Sequence, residues 1–341
     1  MVRLCPAEGP DAQGRYLPGG RLRSLVGHSG GEVEQEMNQN TIAGADLGLK
    51  GKNVVVLGVA DETSIAWGIA EAFAECGAHV RIGYQQRFFS RVRPLFQKFT
   101  GLEGGRCDVL NEAELTEFFE SSGGQPIDVL VHSIAYGAPE IFTGLPSEVS
   151  PEAISQSLTV SAYSLLTVIR HAKSRLAEWS SVVTLSFVAA ERAMPFYGLM
   201  GVSKSALEGV VRYLALELGR LKTRVNVISA GPVETLAALG ILLAFSQNPQ
   251  SAGRLQGRIL SDPIKAAEEE HPGLGDSDQM AWARLVWKHI KQHFAEHSAL
   301  PEAVCKEDIA NCALFLGSDL SRKITGQVIH VDCGLSSSLI L

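Results

Sequence analysis

Paired cysteines, a block of positive charge and a long apolar run are all missing from these 341 residues, and each absence closes a class of function. The six cysteines, Cys5, Cys76, Cys107, Cys305, Cys312 and Cys333, stand at no short paired spacing. Neither a zinc site nor a disulfide framework is therefore expected, and all six read as free thiols of a reducing compartment. Lysine and arginine number 30 against 37 acids, a formal charge of −7. That balance lacks the concentrated positive field a phosphate backbone needs, which excludes nucleic acid as a partner. The longest apolar stretch, LAALGILLAF at 236–245, is about half of the ~20 residues that cross a bilayer, so no membrane span is expected.

Residues 1–47 are rich in Gly, Pro, Arg and polar side chains and show no apolar period, so they read as a flexible extension outside the core. They hold no apolar segment of the kind a secretory signal needs. Glu8, Asp11, Glu32, Glu34 and Glu36 weigh against an organellar transit peptide, and Met37 is an equally good start of translation. The expected location is cytoplasmic, or organellar if 1–47 include a transit peptide.

From Lys50 onward, short β-branched runs alternate with longer helical stretches, the pattern of a parallel sheet with helices on both faces. Seven strands are predicted: NVVVLG from 53, HVRIGY from 79, a short one ending at CDV (107–109), DVLVHS from 128, SVVTLS from 181, RVNVIS from 224 and QVIHVD from 327. Helices over 153–178 and 199–219 are apolar on most sides, and a second apolar face calls for a partner, most simply another copy of the chain. No internal repeat appears, so the reading is one domain over 48–341 carrying an insertion near 242–300.

The first strand runs into GVADETSIAWGIA. Gly58 ends the strand, Thr63 and Ser64 suit a helix cap, and Gly68 one turn in would let helix and strand approach. The opening of such a helix offers unpaired N–H groups and partial positive charge to a pyrophosphate. The spacing is G-x5-S-x3-G rather than G-x-G-x-x-G. YQQR (84–87), CDV (107–109) and HSIA (132–135) follow at the ends of the second, third and fourth strands, where ligands of open α/β sheets bind.

Together with YQQ, VHSIA, ERAMPFYGLMGVSKSALEGVVRYLALELG, RVNVISAGPVETLAALGI and ITGQVIHVDCG, this segment resembles the enoyl-acyl-carrier-protein reductases, a divergent branch of the short-chain dehydrogenase/reductases. The resemblance covers roughly 48–241 and 303–337. It implies a single Rossmann-type, doubly wound α/β domain with a seven-stranded parallel sheet, a homotetramer, and reduction of the trans-2 double bond of an enoyl thioester by NADH in fatty-acid biosynthesis. It also implies a cofactor site at Gly58, Ser64, Ile65, Gln85, Asp108, Val109, Ser133, Ile134, Lys204, Val233 and Thr235. The substrate pocket it implies comprises Tyr136, Phe187, Tyr197, Met200 and Leu236. Gln85 matches the neutral residue of NADH-using members, while Arg87 is a base that the 2′-phosphate of NADPH could meet.

Tyr197 and Lys204 are the catalytic pair. On a helix seven residues advance ~700°, within about 20° of the starting direction and two turns up, so the pair is expected on one helical face with room for a cofactor ribose between. Ordinary short-chain dehydrogenases use Tyr-x3-Lys with a serine thirteen residues before the tyrosine; position 184 here is threonine. Tyr197 is read as donor to the thioester oxygen as enolate charge develops, and Lys204 as holder of the nicotinamide ribose. No metal is required.

Three departures stand out. Phe187 occupies a position, ten residues before the catalytic tyrosine, that is often a second tyrosine, and Tyr136 is a candidate to restore the hydroxyl. After LAALGI the chain is longer than the resemblance implies, and LGILLAF suits either a lid over an acyl chain or a plain core helix. Positions 242–246 (LLAFS) lack the bases expected to meet an acidic carrier protein, which leaves a coenzyme A thioester, or docking moved to Arg284, Lys288 and Lys291, as alternatives. His289, His293 and His297 repeat at i, i+4, i+8 and read as exposed surface rather than a zinc site.

Overall fold

The structure is a computed structural model that describes residues 47–121, 123–195, 197–247 and 257–338. The expected N-terminal extension thus lies outside the described residues, except for Leu47.

The strands are β1 (Asn53–Leu57), β2 (His79–Tyr84), β3 (Glu103–Arg106), β4 (Ile127–His132), β5 (Leu176–Phe187), β6 (Arg224–Ala230) and β7 (Val328–Val331), in the order β3-β2-β1-β4-β5-β6-β7, all parallel. The chain winds outward from β1 to one edge, then returns to β4 and winds to the other. That switch of direction opens a crevice at the carboxyl ends of β1 and β4, where Leu57 pairs with His132.

Strand alternation divides the interior. Val54 and Val56 point into a core with α1 (Ile65–Glu75) and the last long helix, while Val55 and Leu57 point into a second core on the opposite face. That second core holds α2 (Glu112–Glu120), α5 (Ser164–Ala172) and α6 (Met200–Gly219). Between the two faces, near the crevice, lie α3 (Pro139–Thr143) and α4 (Pro151–Leu158). A π-helical turn, Thr159–Tyr163, joins α4 to α5.

A third core sits over the carboxyl edge. It is built from α3, α7 (Leu236–Ser246), α8 (Gly257–Glu270) and α9 (Gln279–Glu296), with Leu239, Leu242, Phe245, Leu260, Trp282, Trp287 and Ile290 buried. The chain closes through α10 (Lys306–Gly317), which packs on α1.

Several expectations change. Cys107, Asp108 and Val109 follow β3 rather than ending it, because the strand stops at Arg106 and Asp108 turns the chain, accepting from the Leu110 N–H at 3.0 Å. Residues 176–178 belong to β5 rather than to the preceding helix, since Leu176 already pairs with Ile127. A Cβ on Gly68 would meet Lys306 of α10, not the strand. Cys76, Cys107, Cys312 and Cys333 are free thiols, but Cys305 is disulfide-bonded, and Cys5 lies outside the described residues. Spacing along the chain does not report which distant sulfurs folding brings together.

Candidate active site

At the crevice β1 ends on Gly58, whose φ of 97° is left-handed; a Cβ there would stand 2.1 Å from the Ser133 carbonyl oxygen. Only glycine fits, and the backbone stays open to a ligand. Ser64 caps α1: its hydroxyl donates to the Asp61 carbonyl at 2.7 Å and its oxygen accepts from the Trp67 N–H at 3.3 Å. Thr63 instead donates to the Asp61 carboxylate at 2.7 Å. At the next strand end, the Gln85 amide nitrogen donates to Asp108 Oδ2 at 3.0 Å. That bond holds the Gln85 side chain at the strand end.

Tyr197 lies in a turn, not on a helix. Gly198 adopts φ 53° and α6 starts only at Met200, so the expected two-turn helical spacing to Lys204 does not describe the pair. The left-handed glycine ends any helical run before it. The Tyr197 ring is held between Phe187, 4.8 Å away between centroids, and Phe142, 6.2 Å away. Burial pushes its phenol well above the ordinary range. Lys204, 5% exposed, donates from Nζ to the Leu185 carbonyl at 2.8 Å. Burial pulls its ammonium down to about 8, partly offset by the Glu208 carboxylate.

Thr184, thirteen positions before Tyr197, is fully buried and bonds His132, so it does not serve the site as a serine there would in ordinary relatives.

One cavity of about 860 Å³ joins these parts. Gly58, Ser64, Ile65, Gln85, Asp108, Val109, Ser133, Ile134, Val233 and Thr235 line it, as do Tyr136, Phe187, Tyr197, Met200, Lys204 and Leu236. Arg87 lines it too, its guanidinium over the Phe88 ring. Among the lining residues sequence reasoning missed are Phe142, Ser186 and Trp287. Trp287 is 5% exposed and reaches the cavity from α9; along the sequence it shares the apolar period of a core face, and no local signal separates the two roles.

The family profile described as Enoyl-(Acyl carrier protein) reductase matches residues 58–259 and 275–336. The chain belongs to the enoyl-(acyl carrier protein) reductase family. It is 36% identical over 290 residues to enoyl-[acyl-carrier-protein] reductase [NADH] 1 of Rhizobium meliloti, covering 84% of this chain and 90% of that protein. It is 34% identical over 294 residues to the corresponding Synechocystis protein, covering 84% and 97%. Among solved structures, the reductase of Aquifex aeolicus superposes with a TM-score of 0.68 at 31% identity, covering 86% of this chain and 99% of that one. The Anaplasma phagocytophilum reductase, solved in complex with NAD, does so with 0.68 at 30% identity, covering 86% and 94%. The profile match breaks over 260–274, within α8 and the turn after it.

On α9 and just after it, the basic and histidine side chains are engaged rather than free. Arg284 and Lys291 pair with Glu234 at 3.8 and 3.7 Å, and Lys288 with Glu270 at 3.0 Å. His289 also meets Glu270, at 3.0 Å, and His293 stacks on His297 at 4.3 Å. All three histidines are half-buried instead of exposed, because α8 folds back onto α9.

No helix among the described residues is long and apolar enough to cross a membrane.

Proposed function

We propose that this protein reduces the trans-2 double bond of an enoyl thioester borne by acyl carrier protein, with NADH as reductant, in fatty-acid biosynthesis. The observation that carries this reading is a single cavity holding a phenol, a buried ammonium and a glycine-opened helix N-terminus at the carboxyl ends of parallel strands. The residues fit a dinucleotide. Gly58, which lets the backbone after β1 pack against Ser133, lines the cavity with Ser64, and the N-terminus of α1 offers a pyrophosphate its N–H groups. Gln85, held by Asp108 at the strand end, is a neutral side chain that can bond a 2′-hydroxyl and offers no positive charge to a 2′-phosphate, which favours NADH over NADPH. Arg87 is the lining base that NADPH would use instead.

When bound, the nicotinamide supplies the hydride. Tyr197, whose raised phenol stays protonated at neutral pH, donates to the thioester oxygen and stabilises the enolate charge that develops there. Phe187 and Phe142 fix the direction of that donor and keep the oxygen away from water. Lys204 spends one of its three donors on Leu185 and turns the rest to the ribose hydroxyls. Tyr136, Met200 and Leu236 shape the acyl side. The bases Arg284, Lys288 and Lys291 sit in surface pairs of the kind worth ~0–1 kcal/mol. An acidic carrier protein can therefore compete for them. The working assembly is a homotetramer in the cytoplasm.

The test is loss of absorbance at the reduced nicotinamide band with crotonyl thioesters on carrier protein and on coenzyme A. Turnover is expected with both, faster on the carrier, and Tyr197→Phe should lower kcat by about 10²-fold or more. Full activity of that variant sinks the assignment.

A further inference from the structure

Lys204 is a charge in a dry place, and Glu208 stands one helical turn further along α6. Residues four apart on a helix face the same way, with Cβ atoms ~5–6 Å apart. Both are interior, at 5% and 7% exposure. Consecutive residues of β5 fasten the two: Lys204 donates to the Leu185 carbonyl at 2.8 Å, and Glu208 Oε1 accepts from the Ser186 hydroxyl at 2.5 Å. Both of those β5 residues line the cavity.

The other charged groups nearby do not take this place. His132 on β4 faces Lys204, but burial holds its pKa down to about 3, so it stays neutral. Around Glu208 lie Arg212 on α6, Glu191 after β5 and His330 on β7. Glu191 and His330 pair with each other at 3.1 Å. Glu208 is thus the acid whose charge acts on the buried ammonium and opposes burial there, while burial also raises the pKa of the Glu208 carboxyl itself.

We propose that Glu208 is a positioning residue for this reaction: its carboxylate, tethered by Ser186, is the buried counter-charge that keeps Lys204 an ammonium directed at the cofactor ribose. The inference rests on the reading that Lys204 holds the cofactor. A carboxylate near a cation favours the charged form by about one to three pH units. Its loss leaves burial unopposed.

The test is NADH affinity by fluorescence titration from pH 6 to 10 on the full-length protein, with thermal melts alongside. In the parent, affinity falls as pH rises through the Lys204 value of about 8. Glu208→Gln keeps the shape and the acceptor for Ser186 but not the charge, and should move that midpoint down by about one pH unit or more. Glu208→Asp should restore it in part, and Ser186→Ala should shift it in the same direction as the glutamine variant, by less. A glutamine variant that melts like the parent and shows the parent's midpoint overturns the proposal. Lys204→Met separates the two readings. If it abolishes the pH dependence while Glu208→Gln leaves the midpoint in place, only the role of Glu208 falls. If it leaves affinity and pH dependence untouched, the cofactor role of Lys204 falls and this inference with it.

Discussion

His132 shows how one buried side chain ties the site to stability. It is wholly buried at the end of β4, with Nδ1 3.1 Å from the Thr184 hydroxyl and Nε2 2.8 Å from Ser164 Oγ. Ser164 donates its own proton to the Val160 carbonyl at 2.6 Å, so the Ser164 oxygen is the acceptor for the imidazole N–H. That carbonyl belongs to the π turn. Burial holds the imidazole pKa down to about 3, whereas in the unfolded chain it is near 6.5. Between those values the unfolded chain binds a proton that the folded chain refuses. Stability is therefore lost as pH falls from about 6.5 toward 3, at up to about 1.4 kcal/mol per pH unit. Urea unfolding at pH 6.5 and 4.5 should show the parent losing roughly 2–3 kcal/mol more over that interval than His132→Gln does. Equal losses would mean that the ring is not sealed.

Among the elements, the turn before α6 carries the most consequence for chemistry. Gly198 is left-handed, and a Cβ there would lie 2.0 Å from the carbonyl oxygen of Ile141 in α3. The same carbonyl accepts from the Leu199 N–H at 3.1 Å. One backbone group of α3 thus docks the loop that presents Tyr197, while Lys204 is set independently by α6 and β5. Gly198→Ala must displace the loop, and is expected to lower kcat at least about tenfold through a misplaced donor while NADH affinity stays within about twofold. Paired kinetics and NADH titration check this; a comparable loss of NADH affinity would show that the two parts move together. α9 plays a different part. It lies against α7, buries Leu242 and Phe245 between them, and brings Trp287 to the cavity wall. Ala237, Ala238, Gly240 and Ala244 of α7 also line the cavity, so LGILLAF serves as wall and as core at once.

For the whole molecule, the surface of α6 bears on assembly. Tyr213 and Leu216 are 78% and 75% exposed, and Val202 on the same helix and Tyr163 at the π turn are about half exposed. Apolar side chains repeated along a helix that already packs its other face on the sheet cost hydration unless covered. A second copy presenting the same face would cover them symmetrically. Light scattering should report a tetramer for the parent, and Leu216→Glu or Tyr213→Glu should lower the mass by breaking that contact. An unchanged mass in both variants would place the subunit contact elsewhere.

Most of the architecture is legible in the order of the residues, because its signals are local. VVV in β1, VLV in β4 and VVTL in β5 are β-branched or apolar runs too short for helices, and each lies within its strand. Gly58 and Ser64 announce a strand-to-helix turn by their chemistry alone, and both line the cavity. The EGGR of β3 shows the limit: it has no apolar pattern, and is a strand only because Arg81–Tyr84 of β2 offer it a ladder. The spacing from Tyr197 to Lys204 reads as helical along the sequence, and the structure departs from it for a related reason. Seven residues fit two turns, but the carbonyl of Ile141, 57 positions upstream of Gly198 by number, fills the space and requires the left-handed turn.

Propensity, capping and spacing act over a few residues, and so composition and motif were enough for the sheet, the family and a part of the residues around the cavity. Contacts between distant segments obey no such local rule. The sealing of His132, the tether from Ser186 to Glu208 and the arrival of Trp287 became visible only once packing had brought those segments together, because burial and partnership are properties of the folded surroundings and not of the residue that experiences them.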